Sequence, residues 1–442
     1  MAYTVGLISL GCPKNQVDAE IMLSSLETAG FEIVDYVGGA DAVLVNTCAF
    51  IDDAKRESID NVLAAAALKR EGIVKKIIVT GCLAQKYKEE VLTEIPEVDA
   101  VLGIGSNADI SQIVRKVIDG ENIYEFPPKS QMPLNGDRFL TTPEYWAYLR
   151  ISDGCSNRCS YCTIPSIRGN FRSREIEDII EEATELANEG AKELVLIAQD
   201  TTGYGLDLYG ELKLPELLNR LCDVDGIEWL RLLYCYPDKI TDELVEVMAT
   251  QPKVLHYIDL PVQHSDDKIL KAMNRNGDSA DIKATIKKLR ERIPDIIIRT
   301  TVMTGFPGEG DEEFENLALF VNETEFDRLG CFSFSPQEGT PAAEMPEQVE
   351  DEIKNRRNEV IMQDQLEILS LKNKDKIGNI YRVLVEDYDN YTDSYVGRTY
   401  MEAPEIDGNV RFTSEMEHNE GDFVKIKIFG ELDFELLGRA ID

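Results

Sequence analysis

Apolar runs of strand length alternate with helical patterns along most of this chain, and that alternation fits few architectures besides parallel α/β sheets. In the first segment, residues 5–12, 42–48 and 76–82 each read as a strand that runs into a cysteine, with helical patterns over 17–29 and 52–69 between them. A second series has strands at 146–151, 193–198, 228–234, 255–260, 296–303 and 328–334, with helices over 176–188, 215–222, 242–249, 280–292 and 312–323 filling the gaps. Six such units predict a partial (β/α)6 barrel, short of the complete eight. Residues 348–374 are rich in charge and helix formers and predict a connecting helix. Short β-type runs at 380–386, 394–397, 410–413, 423–428 and 434–437, separated by Asp, Asn and Gly, predict a small five-stranded barrel of the OB-like kind. The expected class is α/β, with an open parallel sheet domain at 1–125, a partial barrel at 135–374 and a small β-barrel at 375–442.

At 442 residues the chain has ample surface to bury and needs no disulfide for stability. Its nine cysteines, the lack of a basic, apolar leader at the amino terminus and the absence of any run near roughly 18 apolar residues predict a soluble cytoplasmic protein with reduced thiols and no membrane contact. The 46 basic and 82 acidic residues give a formal charge of −36, which opposes attraction to phosphate backbones and favours basic partners.

The stretch from Asp153 to Cys162 gathers Cys155, Cys159 and Cys162 within eight residues, just after a strand pattern. A structural zinc site closes four ligands, whereas an iron–sulfur cluster on three thiolates leaves one iron free of protein. The nearest following cysteine is Cys222 and the first histidine is His256, so an open iron is the better reading. Cys12, Cys48 and Cys82 follow three strands of one parallel sheet, and ligands in such sheets lie beyond the strands' carboxyl ends. That placement predicts a second three-thiol site with an open iron of its own. Cys222, Cys235 and Cys331 fall on apolar helix or strand patterns and read as packing residues. Gly203-Tyr204-Gly205 is too short for a dinucleotide site, and His264 reads as structural.

The spacing C-x3-C-x2-C at Cys155, Cys159 and Cys162, with Tyr161 before the last cysteine, resembles the radical S-adenosylmethionine (SAM) superfamily. The whole arrangement resembles the methylthiotransferases, whose parts are an N-terminal cluster domain, a radical SAM core and a C-terminal TRAM domain. Residues 9–15, 153–155, 159–165 and 167–169, and Ala198-Gln199-Asp200-Thr201-Thr202, resemble the branch acting on an aspartate of small-subunit ribosomal protein twelve.

The resemblance implies two [4Fe-4S] clusters, on Cys155, Cys159 and Cys162 and on Cys12, Cys48 and Cys82. It also implies SAM contacts among Tyr161, Gln199, Asp200, Thr201, Gln263, Thr304 and Gly305, with Tyr161 near the adenine. The implied reaction uses two SAM per turnover: one is cleaved to a 5′-deoxyadenosyl radical that takes hydrogen from the aspartate β-carbon, and the other methylates the inserted sulfur, giving 3-methylthioaspartate. A flavodoxin- or ferredoxin-type electron donor, a sulfur donor and a monomeric enzyme belong to the same expectation. A tRNA methylthiotransferase of the same chemistry and a non-catalytic iron–sulfur electron carrier stay open. Residues 376–442 hold 7 Lys or Arg against 15 Asp or Glu, a balance of −8 that suits a basic protein substrate better than RNA.

Overall fold

A computed structural model describes every residue but 1, 36, 50 and 442, so the outermost residues of the first and last expected domains lie outside it. The first sheet has six parallel strands, β1 (Thr4–Ser9), β2 (Glu32–Val34), β3 (Ala42–Thr47), β4 (Ile77–Thr80), β5 (Ala100–Leu102) and β6 (Ile123–Glu125), in the order β2-β1-β3-β4-β5-β6. Its helices cover both faces. Met22 and Leu26 of α1 (Pro13–Thr28) pack with Val5, Leu44 and Ile78, while Val62 and Ala66 of α2 (Asp52–Arg70) pack with Val43, Val45 and Val79. The alternation of neighbouring strand residues between the two clusters is the period of two that a pleated strand imposes.

The second sheet is also parallel. It contains β7 (Trp146–Arg150), then, after a small antiparallel ladder of β8 (Ser152–Asp153) with β9 (Arg172–Ser173), the strands β10 (Glu193–Ile197), β11 (Trp229–Leu232), β12 (Val254–Asp259), β13 (Ile297–Thr304) and β14 (Arg328–Ser333). Its order, β14-β13-β12-β11-β10-β7, is sequential and open, the arc of a partial barrel. Along β7, Ala147 and Leu149 point into the helical layer, whereas Trp146 and Tyr148 point to the opposite face.

That opposite face is covered by the carboxyl-terminal barrel. Strands β15 (Ile380–Asp389), β16 (Ser394–Arg398), β17 (Val410–Thr413), β18 (Phe423–Leu432) and β19 (Glu435–Ala440) close in the order β15-β16-β17-β19-β18. The helix Asp351–Lys376 leads into them. Trp229 meets Phe423 edge to face with ring centroids 4.8 Å apart, and Tyr148 donates to Glu405 at 2.9 Å. At the centre of this junction the Glu193 carboxylate, fully buried, accepts Arg231 at 2.6 Å and Arg398 of the barrel at 2.7 Å.

Burial works against the Glu193 charge, but the two guanidiniums outweigh it and hold its pKa below the ordinary 4.5. Since the carboxyl titrates lower when folded than when unfolded, its contribution is complete above that ordinary value and is lost as the pH falls through the folded one. Glu193→Ala leaves two buried guanidiniums short of a partner and is expected to cost about 3–5 kcal/mol, read as a lowered melting temperature. Lys283→Ala, which removes an exposed pair with Glu323, should cost no more than about 1 kcal/mol.

The strands match the predicted runs to within a few residues, and the departures are short elements. β2, β5 and β6 carry three residues each, and the helix Asp267–Ala272 six, too few to display a period. Cys235 is fully buried but lies beyond the end of β11 rather than on a strand.

Candidate active site between two parallel sheets

In the first sheet the chain order reverses direction across β1 and β3, which makes their carboxyl ends the crevice where such sheets hold ligands. Cys12 caps α1 just beyond β1, Cys48 follows β3, and Cys82 sits in the first turn of α3 (Gly81–Lys86) after β4. The loop before Cys12 rides on Cys48: a Cβ on Gly11, at φ +98, would lie 2.7 Å from the Cβ of Cys48. Ser58 Oγ anchors the Cys48 backbone, accepting its N–H at 2.9 Å and donating to its carbonyl at 3.0 Å. Burial pushes the Cys82 thiol up to about 12, with Cys12 and Cys48 adding to the rise and Arg168 opposing it.

Cys155, Cys159 and Cys162 lie beyond β8, on a loop that ends in the helix Ile164–Arg168. Burial pushes Cys162 up to about 12, and it raises Cys155 as well. Cys159 Sγ lies 3.2 Å from Tyr236 Oη and 4.0 Å from an Arg275 nitrogen, and the Arg275 guanidinium stacks 4.2 Å over the Tyr236 ring.

The loop is fixed by Gly154, at φ +79, where a Cβ would fall 2.2 Å from the carbonyl oxygen of Asn170. Because backbone cannot yield as a side chain can, Gly154→Ala should displace Cys155 and sharply reduce iron bound at this loop, measured by iron analysis after anaerobic reconstitution. Gly210→Ala, at φ +78 with nothing within 4 Å, should cost only about 1–2 kcal/mol of backbone strain.

The two sets of thiols face one another across a buried ionic bridge. Arg168 donates to Asp153 at 2.9 Å and to Asp18 of α1 at 2.7 Å, and its charge acts on Cys12 and Cys82 as well. Arg150 also donates to Asp18. Burial opposes the Asp153 charge, but Arg168 and Arg150 prevail and hold its carboxyl below the usual range. Lys14, two residues past Cys12, places its ammonium 3.1 Å over the ring of Tyr234, just past β11. Burial lowers its pKa to about 8.

Among the SAM candidates, Tyr161 is half-buried and meets Phe306 edge to face at 6.4 Å. Gln199 donates to Asp153 at 2.9 Å. Asp200 accepts Asn157 at 2.7 Å and Lys239 at 2.5 Å, on the loop side of Cys155. Gln263 stands at φ +71 with no side-chain partner among the described residues. Three others are engaged within the protein: Thr201 donates to Leu233 O at 2.5 Å, Thr304 to Lys354 O at 3.2 Å, and the Gly305 N–H to Glu309 at 2.9 Å. His264 is buried, accepts the Asp266 N–H at 3.0 Å, and turns Nε2 to 3.3 Å from Glu309. Sequence reasoning passed over Asp18, Tyr234, Tyr236 and Arg275, and assigned no role to Lys14 or Arg168. The last two stood in quoted motifs, while Tyr236 follows β11, Arg275 follows the helix Asp267–Ala272, and neither carries a motif.

A mononuclear metal would need its ligands within about 2.0–2.3 Å of one centre. Among the described residues no group of three or more His, Cys, Asp or Glu is gathered in that way. Cys155, Cys159 and Cys162, brought together on one loop beyond β8, are the donor set that suits an iron–sulfur cluster held by thiolates.

Comparison with known proteins agrees with this arrangement. The chain matches the Radical SAM superfamily over residues 149–321, the Uncharacterized protein family UPF0004 over 4–103 and the TRAM domain over 377–441. The ribosomal protein uS12 methylthiotransferase RimO of Desulforamulus reducens is 47% identical, covering 98% of this chain and 99% of its own length. The RimO of Acetivibrio thermocellus is 46% identical over 100% and 99%. Among solved structures, the radical SAM methyltransferase TsrM of Kitasatospora setae shares the fold at a TM-score of 0.59, with 16% identity over 77% of each chain. OxsB, a cobalamin-dependent SAM radical enzyme, does so at 0.51, with 13% identity over 83% of this chain and 56% of its own. An iron–sulfur cluster and SAM are the cofactors that go with the superfamily match. With full-length relatives this similar and the three-part order of sheet, partial barrel and TRAM barrel, the chain belongs to the RimO family of ribosomal protein uS12 methylthiotransferases within the radical SAM superfamily.

Proposed function

We propose that this radical SAM methylthiotransferase inserts a methylthio group at the β-carbon of an aspartate of ribosomal protein uS12, giving 3-methylthioaspartate with two SAM per turnover. The observation that carries this reading is the pair of three-thiol sets at the facing carboxyl ends of two parallel sheets, joined through Arg168. Cys155, Cys159 and Cys162 would hold one [4Fe-4S] cluster and Cys12, Cys48 and Cys82 a second. When bound, the first supplies an electron to SAM and the second a place for sulfur.

The protein's own groups position these parts. Tyr236 and Arg275 steady Cys159, and the Arg168 bridge to Asp153 and Asp18 fixes the distance between the two loops. Buried Cys48, Cys82, Cys155 and Cys159 and a covered sheet face keep water from a reactive carbon centre, and the fixed geometry replaces a chance encounter with an oriented one. Tyr161, Gln199, Asp200 and Gln263 stand at the strand ends where SAM would lie. Thr201, Thr304 and Gly305 would shape that wall without donating to the ligand, since these donors are engaged within the protein. A carbon-bound hydrogen at such a β-carbon is too weakly acidic for a base, which is why the reaction needs radical chemistry.

The formal charge of −36 and the −8 balance of residues 376–442 suit a basic ribosomal protein. A flavodoxin- or ferredoxin-type electron donor, a sulfur donor, a cytoplasmic setting and a monomeric state complete the reading, and no helix among the described residues is long and apolar enough to cross a membrane. The test is anaerobic incubation of the reconstituted chain with SAM, sulfide and reductant, in parallel with a peptide carrying the uS12 aspartate and with tRNA. A mass gain of one methylthio group on the aspartate supports the reading, and modification of tRNA alone contradicts it.

A further inference from the structure

Lys14 is a buried cation beside the first thiol set, two residues past Cys12. It is only 5% exposed, yet among the described residues it makes no hydrogen bond and no ion pair. The groups that favour its charge from a distance are Cys12 first, then two carboxylates that pair elsewhere, Asp259 with Arg299 at 3.0 Å and Asp153 with Arg168 at 2.9 Å. Its contact is with the face of Tyr234, 3.1 Å from the ring centroid. That ring is itself held in an unfavourable backbone conformation, φ +61, by the Asp259 carboxylate accepting its N–H at 3.0 Å and by its carbonyl accepting the Thr201 N–H at 3.0 Å. A strained residue that supports a buried ammonium with no hydrogen-bonded partner is costly to the fold, and such features gather at ligand sites.

The surroundings are short of partners in the complementary sense. Asp153 Oδ2, Gln199 Oε1 and Ser152 Oγ, at the carboxyl ends of the second sheet, are buried and make no hydrogen bond. Unsatisfied buried acceptors call for donors that arrive with a ligand or with water. A polypeptide loop bearing a carboxylate supplies both signs: an anion for the ammonium, and backbone N–H groups for the oxygens.

We infer that Lys14 is the residue that selects an acidic side chain as the target, its ammonium pairing with the substrate carboxylate between the two thiol sets. This rests on the proposed function. Tyr234 then acts as a positioning residue, keeping the ammonium aimed at the space between the sheets. A neutral amide in place of the carboxylate would leave the cation buried and unpaired, so recognition is by charge as well as by shape.

The test uses the reconstituted full-length chain and two synthetic basic peptides, one with the target aspartate and one with asparagine in its place. Affinities are read by fluorescence anisotropy, and methylthiolation of the aspartate peptide by mass spectrometry. The wild-type chain should bind the aspartate peptide roughly ten- to a hundredfold more tightly than the asparagine peptide, the range of one charge-assisted hydrogen bond. Lys14→Met should erase that preference, and Lys14→Arg should restore part of it. Because each variant is compared with itself on two peptides, partial loss of folded protein leaves the ratio unchanged. A Lys14→Met chain that keeps the wild-type preference, or a wild-type chain that methylthiolates the aspartate peptide without preferring it, overturns the assignment of Lys14 alone. A wild-type chain that neither binds nor modifies the aspartate peptide overturns the proposed function and this inference with it.

Discussion

Replacing Cys155, Cys159 or Cys162 with Ala is expected to reduce 5′-deoxyadenosine formation by more than roughly 100-fold, beyond what even the loss of an outer partner of a metal ligand costs. All three thiols lie on one loop between β8 and the helix Ile164–Arg168, and the chain offers no spare cysteine nearby: Cys235 is enclosed in the helical-layer core, and Cys222 and Cys331 pack against it. Removing one sulfur therefore leaves two, with no substitute within reach. The loop itself should survive the change, since Ser160 is pinned from both sides, its N–H donating to Met273 O and its carbonyl accepting from Ala342, each at 2.9 Å. Loss of product with an unchanged melting temperature is thus the expected pattern, measured by chromatography of the nucleoside after anaerobic incubation with SAM and reductant. Product at the wild-type rate would remove these cysteines from the chemistry.

Replacing Cys12, Cys48 or Cys82 with Ala should give the opposite division. 5′-Deoxyadenosine continues to form, while methylthiolated peptide falls by more than roughly 100-fold. The separation follows from the bridge between the sites. Arg168 meets Cys82 through its charge and a side-chain hydrogen bond, but its hydrogen bonds to Asp153 and Asp18 do not depend on that thiol and persist when it is lost. The second loop keeps its supports and its ability to cleave SAM. Liquid chromatography of nucleoside and peptide from the same reaction reads both halves at once. Unchanged methylthiolation would exclude the first-sheet thiols from sulfur insertion.

Much of this architecture was legible in the order of residues because parallel sheets covered by helices announce themselves as apolar runs separated by amphipathic ones. The long strands β7, β10, β12 and β13 fell where the pattern put them, and the five short runs after residue 376 became a closed barrel. What stayed hidden was contact between distant parts. Glu193 reads as an ordinary acidic residue opening a strand, yet it joins the sheet to the barrel through Arg398, 205 positions away. The covering of the sheet by the barrel follows from the aromatic face of Trp146, Tyr148, Trp229 and Tyr257, which a strand pattern alone does not assign to any partner. In the candidate site, the cysteines stood out by spacing because few other roles need them so placed, and the fold sets each group of three beyond strand ends. Lys14, Arg168, Tyr236 and Arg275 are common residue types, and their meaning comes from burial and geometry that sequence spacing does not express.

The central claim is that each set of three thiols carries its own iron–sulfur cluster, with one iron in each left to a non-protein ligand. Mössbauer spectroscopy with iron counting, on chain reconstituted anaerobically with iron-57 and sulfide, addresses it directly. The account predicts two four-iron centres per chain in the wild type and one after replacement of Cys12, Cys48 and Cys82 together. Bound zinc, or a single centre in the wild type that survives the replacement of Cys12, Cys48 and Cys82, would contradict it.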